Sequence, residues 1–145
     1  MFGFNYNGND YYYVRNAQND VVFITDSANN GVLMYQYDAW GNITACYDTS
    51  DDGVLSFINP YTYRGYYYEI EINTNFLKSR YYNPELCRFI SADDSDILFY
   101  TPDDVTDKNL FAYCDNNPIV RADRLFLYCL HNLGQFTGSS HVKFL

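Results

Sequence analysis

Only a few side chains in this sequence have types and spacings that bear on chemistry. Asp48-x-Ser50-x-Asp52-Gly53 has the carboxylate spacing that opens a calcium loop. An EF-hand loop needs Asp or Asn at its third position and a bidentate Glu at its twelfth. Here those positions hold Ser50 and Asn59, and the stretch reads as a polar loop. Asp93, Asp94 and Asp96 read as a solvated loop. His131 and His141 stand in a segment without acids, with no Cys pair or Glu beside them, so they form no metal site. Cys46, Cys87, Cys114 and Cys129 include no C-x-x-C pair and are too sparse for a disulfide scaffold, so they are expected as free thiols. There is no G-x-S-x-G elbow and no Gly-rich phosphate loop. These positions suggest neither a metal nor a cofactor.

The scaffold that must position any site is written in the composition. Of 145 residues, 17 are Tyr, 11 Phe and 1 Trp. Tyr favours half-buried pleated surfaces and carries a hydroxyl that needs a partner. The 15 Asp and 16 Asn against 3 Glu point to turns rather than helices. A net charge of -9 without a basic stripe argues against nucleic acid as a partner. Met1 to Asp10 lacks the features of a signal peptide, and Leu125 to Leu130, the longest apolar run, is too short to span a membrane. The length suits one domain.

Strand-like runs alternate with turn clusters at intervals of about ten residues. Tyr11–Arg15, Val21–Thr25, Val32–Asp38 and Ile43–Tyr47 are separated by Asn16–Asp20, Asp26–Gly31 and Ala39–Asn42. Tyr61–Tyr68, prolonged by Glu69–Ile72, then Phe76–Tyr82 and Arg88–Ile90 follow. Asn109–Asp115 fits either one helical turn or a short strand. The expectation is an all-β, antiparallel hairpin meander, one mostly open sheet from Tyr11 to about Ile90. Tyr35-x-Tyr37 is echoed by Tyr61-x-Tyr63, a weak internal repeat of aromatic hairpins. Residues 124–145 differ in kind: they contain no acid and carry net +2, whereas residues 1–123 carry net -11.

The motifs now become specific. Tyr35-x-Tyr37-Asp38-x-x-Gly41 matches the Tyr-Asp (YD) repeat signature. Asn59-Pro60-Tyr61-Thr62-Tyr63-Arg64-Gly65, then Arg80-Tyr81-Tyr82-Asn83-Pro84 and Arg88–Asp94, and finally Asn109–Cys114 with Asn116-Asn117-Pro118, resemble the RHS repeat-associated core domain, in that family's order. The resemblance covers about residues 10–123. It implies a core domain over 1–123, with a YD repeat near 32–47 and core motifs over 59–118, followed by a divergent, irregular tail over 124–145. It further implies a shell segment of a secreted or cell-surface polymorphic-toxin protein of bacteria. In that family, repeats wind a β-sheet into a hollow cage that holds a C-terminal toxin. The implied partners are therefore the remaining repeats and that toxin.

Family members often end the core in Asp-Pro-x-Gly, where an aspartyl-protease-like site cuts. Here Asp123 is followed by Arg124-Leu125-Phe126. Asp123 is thus the single catalytic candidate, with its motif broken, and its plainer reading is a turn residue. Asn73 and Cys87 stand where turn glycines are usual in the family. Arg64 and Arg80, each beside tyrosines, are expected to stack on rings or pair with Asp. The tyrosine clusters would also suit sugar rings, making cell-surface glycans an alternative partner; cross-strand pairs that hold the sheet are the plainer account. A non-enzymatic shell segment is the reading carried forward, with self-cleavage and glycan binding as its rivals.

Overall fold

The computed structural model describes residues 2–92, residues 109–121 and, as backbone alone, residues 142–144. Among these residues ten strands form two antiparallel sheets. The first holds β1 (Gly3–Tyr6), β2 (Asn9–Arg15), β3 (Val21–Thr25), β4 (Gly31–Tyr37) and β5 (Ile43–Asp48), with β10 (Val142–Phe144) outside β1. The second holds β6 (Tyr67–Glu69), β7 (Thr74–Leu77), β8 (Arg80–Asn83) and β9 (Arg88–Phe89). The one described α-helix, α1, is the single turn Leu55–Ile58. The fold is all-β, as the Tyr- and Asn-rich composition requires.

Three of the connections in the first sheet are one turn used three times. Asn16–Asp20, Asp26–Asn30 and Asp38–Asn42 each insert five residues between the pairs Arg15↔Val21, Thr25↔Gly31 and Tyr37↔Ile43, and each sits beside a register shift. In every case the first residue is Asp or Asn, and its Oδ1 accepts the backbone N–H groups two and four residues on, at 2.8–2.9 Å. The fourth residue has positive φ: Asn19 at 72°, Asn29 at 64° and Gly41 at 90°. Asx side chains mimic a backbone turn, and Asn and Gly are the residues that enter the left-handed region cheaply. The fifth residue closes the loop side chain to side chain, Asn16 with Asp20 at 2.6 Å, Asn30 with Asp26 at 2.9 Å and Asn42 with Asp38 at 2.7 Å. At Asp26, bonds donated by Asn30 and Ala28 hold the carboxyl below the ordinary range.

The expectation of a single sheet from Tyr11 to Ile90 is corrected. Between β5 and β6 the chain leaves the ladder through α1 and a 3-10 turn at Tyr63–Gly65. Pro60 has no N–H to give a ladder, and Arg64 and Gly65 both take positive φ, at 52° and 68°, which no strand allows. Tyr61–Tyr68 is therefore a bridge between Tyr61 and Tyr67 around that turn, not one strand. The run expected at Phe76–Tyr82 is two strands joined at Lys78 and Ser79, with Lys78 at φ 65°. Glu71 and Ile72 lie in the loop before Asn73. The N-terminal residues contribute β1, which the sequence reading had left out. Part of the C-terminal segment, expected as irregular, forms β10.

Each sheet has its own core. Phe4, Val21, Ile24, Leu33, Tyr35 and Leu55 form one. Tyr63, Tyr66, Leu77, Tyr82, Phe89 and Tyr113 form the other, and Tyr37 packs against both. Burying side chains of this size stabilises each sheet by about 1.5–3 kcal/mol apiece before entropy is counted.

Candidate functional site

Because hairpins alternate direction, the turns Asn16–Asp20 and Asp38–Asn42 lie at the same end of the first sheet. That end is where the second sheet docks. The backbone N–H of Arg64 donates to Asp20 Oδ1 at 2.9 Å, and the Val21 N–H to the Thr62 carbonyl at 3.1 Å. Asn19 Nδ2 donates to the Arg64 carbonyl at 2.9 Å. From the other turn, the Ala39 and Trp40 carbonyls accept the hydroxyls of Tyr63 at 3.0 Å and Tyr82 at 2.7 Å. Asn42 Nδ2 donates to the Pro84 carbonyl at 3.2 Å. Two copies of one turn thus clasp the core of the second sheet.

Most of the residues singled out in the sequence meet here. Tyr37 donates its hydroxyl to the Val21 carbonyl at 2.8 Å. Asp38 organises its turn, and Gly41 lies so close to Tyr63 that an added Cβ would stand 2.4 Å from the ring. Gly65 is crowded in the same way by Asn19, at 2.9 Å. Arg64, 7% exposed, rests on the Tyr63 ring and donates to the Pro118 carbonyl. Asn117 donates its N–H to the Cys114 carbonyl at 2.9 Å and accepts from Arg121 at 3.2 Å, which fixes the Pro118 turn.

The others lie apart. Tyr35 is in the first core, stacked on Tyr37 and accepting from Asn59 Nδ2 at 3.3 Å. Arg80 stacks on a ring, that of Phe89, with its guanidinium carbon 3.6 Å from the ring centre. Tyr81 faces out beside Phe76, with ring centres 5.0 Å apart. Asn83 accepts the Leu86 N–H in the turn before β9. Asp123 and Asp93–Asp96 lie outside the described residues, as do Cys129 and His131. Asn73 and Cys87 do take positive φ, at 50° and 56°, where glycine is usual. Cys46 and Cys87 are free thiols. In the supposed calcium loop, Asp48 accepts from Ser50 and from the Ser56 N–H.

Sequence reading passed over Asp20, Asn19 and Tyr113. Tyr113 is fully buried, 4.0 Å from the Tyr82 ring centre, with its hydroxyl 3.3 Å from that of Tyr66. The pattern Asx-x-x-Asn/Gly-Asx at residues 16, 26 and 38 was the signal available for the first two. A cleft of about 350 Å³ beside Arg64 is walled by Asn19, Tyr66, Ile119 and Arg121. Its walls carry cations and no carboxylate, so they hold no acid–base pair.

The turn makes a direct prediction. Asp38→Ala strips two backbone N–H groups of their acceptor and is expected to cost about 1–2 kcal/mol in chemical denaturation. Asp38→Asn keeps the Oδ1 acceptor for both N–H groups and loses only the bond from Asn42 Nδ2, so it is expected to cost about half as much as Asp38→Ala. Equal losses for both variants would contradict the turn's role.

No family model matches the chain. Among curated proteins it is 37% identical over 123 residues to the tRNA3(Ser)-specific nuclease WapA of Bacillus spizizenii. It is 39% identical over 113 residues to the tRNA nuclease WapA of Bacillus subtilis. These matches cover 85% and 78% of this chain but only 5% and 4% of the relatives' length. Among solved structures, the crystal structure of TcdB2-TccC3 aligns at TM-score 0.66 and the Photorhabdus luminescens Tc holotoxin pore at 0.67. Each is 20% identical and is matched over 81% of this chain and 5% of its own. By sequence, then, this chain is similar to one short segment of the WapA nucleases, and in fold it is similar to one short segment of TcdB2-TccC3.

Proposed function

We propose that the chain is a structural segment of an RHS-type polymorphic-toxin protein, a core domain with its YD repeat that helps to close a β-cage around a C-terminal toxin. The observation that carries this reading is the Asx turn used three times: it builds a repeating ribbon and, where it ends, clasps a second sheet. The similarity to the WapA nucleases supports the toxin setting, and the fold shared with TcdB2-TccC3 supports the shell setting. The nuclease names belong to whole proteins of which this chain matches only 4–5%. The first sheet also suits incorporation into a larger one. Val14, Phe23, Met34 and Tyr47 pair in one row across its outer face, and β5 ends the sheet without a partner among the described residues. The parent protein would be secreted or at the cell surface; among the described residues no helix is long and apolar enough to cross a membrane.

Self-cleavage after Asp123 is the rival reading, and the broken motif after that residue favours the shell over it. Pro fixes φ near -65° and Gly opens conformations closed to other residues, a pair that can shape a scissile bend. Arg124 and Phe126 supply neither. Purified chain held at mildly acidic to neutral pH is expected to keep its intact mass. Loss of a fragment of about twenty residues, abolished by Asp123→Asn, would restore the peptidase. A glycan array with the same protein separates the third reading: specific sugar binding lost in Tyr81→Ala would favour it over the shell.

A further inference from the structure

We infer that the cleft beside Arg64 is a binding site for a single carboxylate group. Arg64 is 7% exposed, and a guanidinium keeps its charge when buried. Buried charges are ordinarily paired with an opposite charge. Among the described residues no carboxylate pairs with this one. Its side chain donates to the Pro118 carbonyl and lies over the Tyr63 ring, while its Nε is buried with no acceptor. Asp20 is committed elsewhere: Oδ1 accepts the backbone N–H of Arg64 at 2.9 Å, and Oδ2 accepts the Asn16 amide at 2.6 Å.

The guanidinium forms part of the wall of the 350 Å³ cleft, with Asn19, Tyr66, Ile119, Val120 and Arg121 around it and no acid among them. Arg121 adds little unspent charge, because Asp115 pairs with it. Among the described residues, one cation without an acid therefore lines the cleft, in a chain of net charge -9. That balance suits a monoanion. A phosphate dianion would bring a second negative charge with no cation to meet it. A planar carboxylate also matches the planar fork of a guanidinium. The volume is at the small end for ligand sites, with room for one acidic side chain of a peptide or one small free acid. Tyr66, Ile119 and Val120 offer apolar surface to the carbon skeleton behind the carboxylate. The site does not depend on whether the chain lies in a shell.

The test uses the full chain and follows the Arg64 Nε–Hε signal in nitrogen-15 correlation spectra at mildly alkaline pH. Sodium acetate should move that signal along a saturating curve, with half-saturation on the order of 1–10 mM. Sodium chloride at matched ionic strength should not, and sodium phosphate should bind about tenfold more weakly than acetate. Val120, 73% exposed, lines the cleft outside the clasp. Val120→Asp sets a competing carboxylate there and should weaken acetate about fivefold, with the sheet dichroism unchanged. A capped Ala-Asp-Ala peptide separates the two sources. Tighter binding than acetate assigns the site to an acidic side chain, and equal or weaker binding assigns it to a small free acid. No saturable shift with acetate, an equal shift with chloride, or unchanged acetate binding in Val120→Asp would overturn the site. Phosphate binding as tight as that of acetate would overturn the carboxylate assignment.

Discussion

Gly41→Ala is expected to destabilise this chain strongly, through the clasp itself. Gly41 has φ +90°, and its added Cβ would stand 2.4, 2.6 and 2.8 Å from three atoms of the Tyr63 ring. Left-handed backbone costs an L-residue about 1–2 kcal/mol, and overpacking a filled site costs about 1–3 kcal/mol more. Tyr63 has little room to retreat: it is 2% exposed, its hydroxyl is tied to the Ala39 carbonyl, and its ring contacts those of Tyr37 and Tyr66. A loss of roughly 2–5 kcal/mol should follow, a large share of the 5–15 kcal/mol typical of a domain. Gly53→Ala is the control. Gly53 also has positive φ, +65°, but nothing lies within 4 Å of its added Cβ, so only the backbone term of about 1 kcal/mol remains. Equal losses at the two positions in urea denaturation would show that the clasp does not hold Tyr63 as described.

Alkaline pH should unfold the protein steeply. Burial pushes the hydroxyls of Tyr13, Tyr35, Tyr37, Tyr82 and Tyr113 far above the ordinary phenol range. Tyr37 and Tyr82 also donate their protons to backbone carbonyls, a bond that the phenolate cannot make. The sign follows from linkage. The folded value lies above the unfolded value of about 10, so the stabilisation is complete below pH 10 and is lost as pH rises past it. There the unfolded chain sheds protons that the folded chain keeps, and each such tyrosine lowers stability by about 1.4 kcal/mol per pH unit. Five acting together give about 7 kcal/mol per unit, enough to unfold the domain within about two units above 10. Tyrosinate absorbance and the far-ultraviolet dichroism of the sheets should change together in one cooperative step. Gradual ionisation of all the tyrosines over intact sheets would contradict the burial.

The sequence was legible where the physics is local. Asn16, Asp26 and the stretch around Gly41 announce turns through side chains that bond to their own backbone, and the strands between them follow from spacing. The positive φ of Asn73 and Cys87 was readable because each stands in for a turn glycine. What could not be read is what depends on distant partners. Tyr61–Tyr68 has the composition of a strand, yet the contacts of Arg64 with Asp20 and Asn19, more than forty residues away, hold it in a turn. The burial of Tyr113 rests on Tyr66, Tyr82 and Phe89, none of them near it in sequence. Glu69–Ile72 alternates apolar and polar residues but ends in a loop because Asn73 turns the chain there. The clasp was therefore visible as a set of motif residues, and its geometry was not.

This chain is proposed to be a wall segment of a larger β-shell. Electron cryomicroscopy of the native gene product, purified without truncation, tests it most directly. The expected result is a hollow sheet-walled particle in which residues 2–92 lie in the wall and the free edge of β5 is paired with a neighbouring strand. An isolated two-sheet domain with the β5 edge open to solvent and no enclosing shell would contradict it.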